Sequence, residues 1–480
     1  MPSQAQTGLQ PPQTFSLCHP IGTRDGTLSQ DSKVVNAFFD QTSNGMALVK
    51  RPGTSTVISP GGTPQGTFNC NGRSYAINSD VVRDIVSGTT VAIPSVTTAG
   101  QHYYNLDDVP YGTTLLKSAS GLWKFAGNSD GSGGTFTKVT DVNYPTTTAP
   151  GIVELDGVYY VMDATTGTSG NIRGSNIDDP TTWPPLNFIQ ADFTLGVAAG
   201  LYRHLNYLVA YYNNGIQFYY DANAANGQTS QGTQLGPVTN ASWTSGLAAG
   251  DSVLEMTDLS FFLAQDRKLG RVFIMINGLT MQVVSTPFVE KIANLSTLVG
   301  ARSFGIRIVG HSFYGITFVD LGITLIYDVA ANQWYQWTSV VSGVEQVFSG
   351  LNYLNGQGMN LMQSSVDGSL FQFLPTLYQD QTNPLKVTAI TAIYDYGTIN
   401  YKRVASLFLL GDNISTSVTC EFSDDDYNTW KGLQTISLSQ TRKMIQRGGR
   451  FRRRAYRVIH QDNTPLRLVD GKFDLTVLSS

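Results

Sequence analysis

"FYGITFVDLGITLIYDVAANQWYQW", residues 313 to 337, decides the fold class. It consists of short runs of β-branched and aromatic residues that alternate with polar ones and are joined at Gly322 and Asn332. That is the signature of antiparallel strands closed by tight turns. The same unit recurs as "GTFNCNGRSYAINSD" at 66 to 80, "GIVELDGVYYVMDA" at 151 to 164 and "HLNYLVAYYNNGIQFYY" at 204 to 220. It returns as "GRVFIMINGLTMQVVS" at 270 to 285 and "SSVDGSLFQF" at 364 to 373. The spacing is roughly 40 to 55 residues, the length of a four-stranded blade, and repeats of that kind bury their faces only by stacking on neighbours. The expectation is an all-β chain built around a β-propeller at 41 to 377, with six or seven blades and seven preferred.

Composition agrees. Charged residues make up 14% of the 480, with 48 glycines, 23 tyrosines and 23 phenylalanines. An average soluble domain carries about 25% charge, so polarity here comes from hydroxyls and amides. After "YQDQTNP" at 378 to 384 the turn spacing lengthens and charge rises. The strands "KVTAITAIYDYG", "YKRVASLFLLGD", "SVTCEFSDDD", "RFRRRAYRVIH" and "DGKFDLTVL" read as a C-terminal β-sandwich at 378 to 480. Residues 1 to 40, rich in Gln, Pro and Ser, read as an extended arm. Helix is scarce; the best candidate follows Thr286 and Pro287, with Phe288, Ile292, Leu295 and Val299 on one face.

The opening "MPSQAQTGLQPPQTF" has no apolar core of the kind a secretory leader carries, and no stretch approaches the roughly 20 apolar residues that span a bilayer. No membrane insertion is expected. Cys18, Cys70 and Cys420 are too few and too dispersed for a disulfide scaffold or a metal cage. His19, His102, His204, His311 and His460 share no ligand spacing. Phosphate loops, dinucleotide fingerprints and nucleophile elbows are missing, so no catalytic residue, cofactor or metal is expected. Carboxylates do pair in sequence at Asp107 and Asp108, Asp178 and Asp179, and Asp424 to Asp426. Propeller glycosidases use two such groups, but neighbours on a strand point to opposite faces, and adjacent Asp residues in turns are usually turn formers. "NSDGSGG" at 128 to 134 reads as a hairpin tip and "SDDDYNTW" at 423 to 430 as a polar turn closed by Trp430.

The chain holds 31 basic and 35 acidic residues, for a net charge of −4. Against that background Arg442, Lys443, Arg447, Arg450, Arg452, Arg453, Arg454 and Arg457 fall together without an intervening carboxylate. As one strand, "RFRRRAYRV" would put Arg450, Arg452 and Arg454 on one face and Phe451, Arg453 and Ala455 on the other. At least one Arg would then approach the core or an interface. The candidate roles are a subunit or partner contact through carboxylates, a grip on DNA phosphate, or a solvated face. Only Phe451 and Tyr456 interleave with the basic residues, so a base-stacking single-strand site is disfavoured.

Several stretches together resemble the packaged-DNA stabilisation family, the tail-hub or nozzle proteins of short-tailed bacteriophages. They are "KRPGTS" at 50 to 55, "IRGSNIDDPTTWPPLNFIQAD" at 172 to 192, "NNGIQFYYDANA" at 213 to 224, "GLTMQVVSTPFVEKI" at 278 to 292, "GHSFYGITFVDLGITLIYDVAANQWYQW" at 310 to 337, and "SDDDYNTW" with "GGRFRRRAYRV". They follow the family's order from about 40 to 475. The chain departs from the pattern at Gln217, where an acidic residue is usual, and in its first 35 residues. The resemblance implies a non-enzymatic virion protein assembled in the host cytoplasm, a homohexameric ring below the portal and its adaptor. Such a ring continues the channel for non-specific double-stranded DNA, helps retain the packaged genome, and docks a tail plug or needle and tailspikes or fibres. The alternative is a propeller-type carbohydrate-active enzyme or lectin of a virion or bacterial surface.

Overall fold

The computed structural model describes residues 13–17, 31–42, 45–109, 112–190, 196–222 and 235–478. Seven antiparallel sheets follow one another around a ring, so the structure is a seven-bladed β-propeller. Blades 1 to 4 span residues 64–92, 104–138, 153–189 and 198–243. Blade 5 spans 246–283 and blade 6 spans 302–341. Blade 7 takes Gly350–Gly356, Met359–Ser364 and Leu370–Leu374 and is completed by Gly53–Ile58 from near the other end of the chain. Blade 2 is absent from the quoted repeats, although "SASGLW" at 118 to 123 carries its turn: Ser118 pairs with Gly121 across the bend.

The second strands explain both the repeat and the closure. "YLVAYY", Tyr207–Tyr212, reads as a continuous apolar run because both of its faces are buried. Leu208, Ala210 and Tyr212 pack toward blade 3, whereas Val209 and Tyr211 pack toward blade 5. Blade 3 repeats the device with Tyr159 and Val161 toward blade 2, and Tyr160 and Met162 toward blade 4. In blade 5, Phe262 and Ala264 face blade 4, while Phe261 and Leu263 face blade 6. Among the described residues separate apolar clusters fill the gaps from blade 1 round to blade 6 and the gap where Leu354 and Leu361 of blade 7 meet Ala76 of blade 1, whereas the packing between blades 6 and 7 is continuous with the C-terminal sheets.

The helix spans Pro287–Leu295 after the Thr286 N-cap and buries Phe288, Val289, Ile292 and Ala293 against blades 5 and 6. The expected stripe stops short. Leu295 is 55% exposed, and Val299 lies beyond the helix at 77%, because the chain turns extended at Ser296.

The C-terminal strands form two sheets that contribute to one continuous buried cluster. The first contains Lys402–Gly411, Met444–Phe451 and Arg467–Val477; the second contains Val387–Ile390, Ser417–Ser423, Lys431–Ser437 and Ala455–His460. Segments from the N-terminal side are built into both. Lys33–Val35 pairs antiparallel with Val387–Ile390 and parallel with the last strand of blade 6. The hairpin of Ala37–Thr42 and Gly45–Lys50 joins the first sheet through Arg467–Val477. Residues 45–50, assigned from sequence to the propeller, therefore lie in the C-terminal layer. Of the expected arm, Gln13–Phe15 pairs with Arg467–Val477; residues 1–12 and 18–30, with Cys18 and His19, lie outside the described residues. Among those residues no helix is long and apolar enough to cross a membrane.

Candidate anion-binding interface

The basic segment is two strands rather than one. Met444–Phe451 belongs to the first C-terminal sheet, the chain bends at Arg452 and Arg453, and Ala455–His460 continues in the second. The bend resets the alternation, so Arg454 does not share a face with Arg450 and Arg452. Two glycines prepare the turn. Gly449 adopts φ +83, the left-handed region that glycine enters without a Cβ penalty. A Cβ on Gly448 would lie 2.6 Å from Val404 Cγ1. The ladder to Lys402–Gly411 shifts register at this point, a bulge.

Arg454 is buried, at 1% exposure. Its Nε donates to Asp424 Oδ1 at 2.6 Å and its Nη2 to Asp424 Oδ2 at 2.9 Å, while Nη1 donates to the Gly448 carbonyl. Phe422 and Phe451 cover the guanidinium with ring centroids 4.0 and 4.3 Å away. A planar cation held by a bidentate carboxylate between two aromatic faces is well satisfied inside a protein. Arg453 pairs with Asp426 and Arg457 with Glu421, and Arg457 also lies 4.3 Å from the Trp430 ring. The acidic turn at 423 to 430 is thus engaged by arginines of its own chain. Asp425 serves the turn itself. The Thr429 hydroxyl and backbone N–H and the Ser423 hydroxyl bond its carboxyl and hold it at about 2.

Lys443 is also buried; its Nζ donates to the Gly411 carbonyl at 3.0 Å and to Asn413. Arg447 lies within the first strand, but its side chain is outside what is described. The remaining cations are exposed. Arg442 lies over Phe408 at 5.6 Å. Arg450 and Arg452 share one ring, Tyr401, at 4.0 and 4.6 Å. Directly across the ladder from Arg450 stands Arg403, also exposed. Like charges opposite each other on adjacent strands destabilise the pair. Among the described residues no ion pair involves Arg403, Arg450 or Arg452. Lys402, next to Arg403, points inward, and its Nζ donates to the Thr398 and Arg452 carbonyls. Arg403 was missed in the sequence because it lies 47 positions before its partner. The signal was present: the alternation of "YKRVASLFLL" puts it on the outer face.

The other sequence candidates resolve into local structure. Asp107 accepts the Asn69 N–H at 2.8 Å, and the side chain of Asp108 is outside what is described. Asp178 has φ +54 in a turn, and Asp179 caps Thr181 at 2.9 Å. Asp130 accepts the Ser132 N–H at 2.9 Å at the expected hairpin tip. Among the described residues no group of His, Cys, Asp and Glu side chains could hold a metal ion. Cys70 is buried, and Cys420 is a buried free thiol that burial raises to about 12.

No family model matches the chain, and no curated protein matches it. Solved structures with a similar course include a streptogramin B lyase, 12% identical over 67% of this chain and 96% of that one, with a TM-score of 0.44. YCF48 from Cyanidioschyzon merolae is 11% identical over 67% and 99%, with a TM-score of 0.39. BamB from Moraxella catarrhalis is 12% identical over 76% and 98%, with a TM-score of 0.36. These likenesses are too distant to speak to activity, and the propeller assignment rests on the seven sheets themselves.

Proposed function

We propose that this chain is a structural virion protein, a tail-hub or nozzle ring of a short-tailed phage, whose exposed arginines receive an acidic surface of a neighbouring subunit or of a portal-adaptor, plug or spike protein. The observation that carries the contact is the pair Arg450 and Arg452 at Tyr401 with Arg403 across the ladder, without an ion-paired carboxylate among the described residues. A partner carboxylate would offset the repulsion between the facing arginines and take bidentate hydrogen bonds. The family reading rests on the ordered sequence blocks. A propeller closed by its own N-terminal strand, with no free sheet edge at the seam, suits a ring under load. The net charge of −4 per chain favours a lumen that lets DNA slide over one that holds it. We read the two C-terminal sheets as the sandwich that carries this contact.

Mass measurement of the full chain, with class averages of the particle, tests the reading. The expected result is a six-fold ring that falls apart when Arg450 and Arg452 are both changed to Glu, with an unaltered circular dichroism spectrum. A chain that stays monomeric at every concentration overturns the ring. Rings that survive the double change while affinity for duplex DNA drops assign the patch to phosphate. Rings and DNA affinity both unchanged make it a solvated guard of the sheet edge.

A further inference from the structure

The centre of the propeller holds a cavity of about 370 Å³, within the roughly 300–1,000 Å³ typical of small-molecule sites. Its polar end is built where the inner strands of blades 2, 6 and 7 begin. Arg302 starts the inner strand of blade 6, Tyr104 that of blade 2, and Asn352 belongs to that of blade 7. Asp251 sits on the short 3-10 turn Gly250–Ser252 ahead of the main strands of blade 5. Tyr202, from blade 4, donates to the Gly250 carbonyl at 2.8 Å and so fixes that turn.

The guanidinium at this end is sparsely bonded. Among the described residues Arg302 has a single hydrogen bond, from Nη1 to Asn352 Oδ1 at 3.3 Å, and no ion pair. Four of the five guanidinium donors are left for something else. Asp251 receives the Tyr104 hydroxyl. Lys117 is buried behind Tyr104. Its Nζ lies 5.0 Å from that ring and donates to the Ala149 carbonyl, and burial lowers it to about 7. His102 adds no charge: burial pulls it well below its ordinary value, and its Nδ1 bonds the Gln65 carbonyl at 3.1 Å. Glu255 and Arg307 also line the cavity. Arg307 lies five residues along the strand from Arg302, about 16 Å away at some 3.3 Å per residue, so it serves the far rim. Asp251 is engaged by the Tyr104 hydroxyl, and the Arg302 guanidinium keeps donors open toward the cavity at this near end.

We propose that this end of the cavity binds a small hydroxylated carboxylic acid of the hexuronate type. The carboxylate lies against the open edge of Arg302, a hydroxyl hydrogen-bonds to Asp251, and the rings of Tyr104 and Tyr202 flank the C–H faces of the ligand. Guanidinium and carboxylate match in planar bidentate geometry. Tyrosine supplies apolar area with a polar tip, which suits a hydroxylated ring. The site is separate from the C-terminal arginines and stands whether or not the chain forms a ring.

Calorimetric titration of the full chain with glucuronate, galacturonate, glucose and inorganic phosphate decides it. A uronate should bind at least tenfold more tightly than glucose or phosphate. Arg302→Met should abolish that preference, whereas the Arg450→Glu, Arg452→Glu double variant should retain it. Equal affinity for uronates and glucose overturns the proposal, as does unchanged uronate binding by a folded Arg302→Met protein. Phosphate binding as tightly as the uronates reduces the site to a general anion hole and overturns the ligand class. If Arg302→Met does not fold, the comparison of the four ligands on the unaltered chain still decides.

Discussion

Arg51 and Asp380 form a buried bidentate ion pair, with Nη1 3.0 Å from Oδ1 and Nη2 2.6 Å from Oδ2. The pair ties the strand that enters blade 7 to the segment that leaves it. Arg51 is fully enclosed, lies 5.2 Å from the Trp337 ring, and spends its other donors on Asn36 Oδ1 and on the Pro52 and Thr338 carbonyls. Asn36 in turn bonds Thr338 and the Lys386 carbonyl. This network joins the propeller to the C-terminal sheets alongside the strand Lys33–Val35 and the shared apolar cluster. Removing one partner of a buried pair leaves the other charge unpaired and costs about 3–5 kcal/mol. Arg51→Ala should lower the unfolding free energy read from chemical denaturation by that amount. The Arg51→Ala, Asp380→Ala double variant should lose clearly less than the sum of the two single changes.

Adjacent arginines should behave in opposite ways. Arg454→Met strands Asp424 and the Gly448 carbonyl and should cost about 3–5 kcal/mol. Arg453 pairs with Asp426 in the open, at 57% and 43% exposure, so Arg453→Met should stay within about 0.5 kcal/mol of the unaltered protein. Equal losses would show that the bend at Arg452 and Arg453 is misplaced.

Gly53 opens the strand that closes the ring. A Cβ there would stand 2.1 Å from the Gln379 carbonyl oxygen and 2.6 Å from its nitrogen, both backbone atoms. Gly53→Ala should cost about 1–3 kcal/mol through the forced shift. Protection from hydrogen exchange should fall first in Leu370–Leu374, the strand it pairs with.

Two histidines should give stability opposite slopes near neutral pH. Burial, followed by the nearby Lys50 ammonium, lowers His460 to about 4, and its Nε2 faces the Thr416 hydroxyl at 2.9 Å. Between about pH 4 and its unfolded value near 6.5, the unfolded chain binds the extra proton. This contribution is therefore complete above 6.5 and lost as the pH falls toward 4. His460→Gln should flatten that acid limb by up to about 3 kcal/mol. His311 is held above its ordinary value by its hydrogen bond to Asp328 Oδ2 at 2.8 Å. Its contribution is present below 6.5 and declines as the pH rises through the raised value. His311→Gln should remove that decline, as read by melting temperature across pH 5 to 9.

The blades were legible because each is a local object, and a hairpin announces itself by alternation and by a turn such as Asn71-Gly72 or Asp156-Gly157. Alternation does not say which sheet a strand joins. Gly45–Lys50 and Gly53–Ile58 look equally strand-like, yet one joins a C-terminal sheet and the other completes a blade, because these partners lie more than 300 residues away. The arginine segment failed at one point. Period-two reasoning holds only while the strand continues, and the Gly448-Gly449 bulge with the bend after Phe451 breaks it. The cavity residues Arg302, Asp251 and Tyr104 carry no mutual spacing, since each comes from a different blade. Only ring closure brings them together.

That closure imposes an order on the making of the protein. Arg51 and Asp380 are 329 positions apart, and a ribosome adding 5–20 residues per second needs on the order of 15–60 s to cover the interval. Throughout that time the strand Gly53–Ile58 has been made but has no blade to enter, and each finished blade presents an unpartnered apolar face to the next arrival. A nascent chain of this design depends on whatever shields those faces until the last blade emerges. Its yield should therefore be governed by the speed of its synthesis at least as much as by the stability of the finished ring.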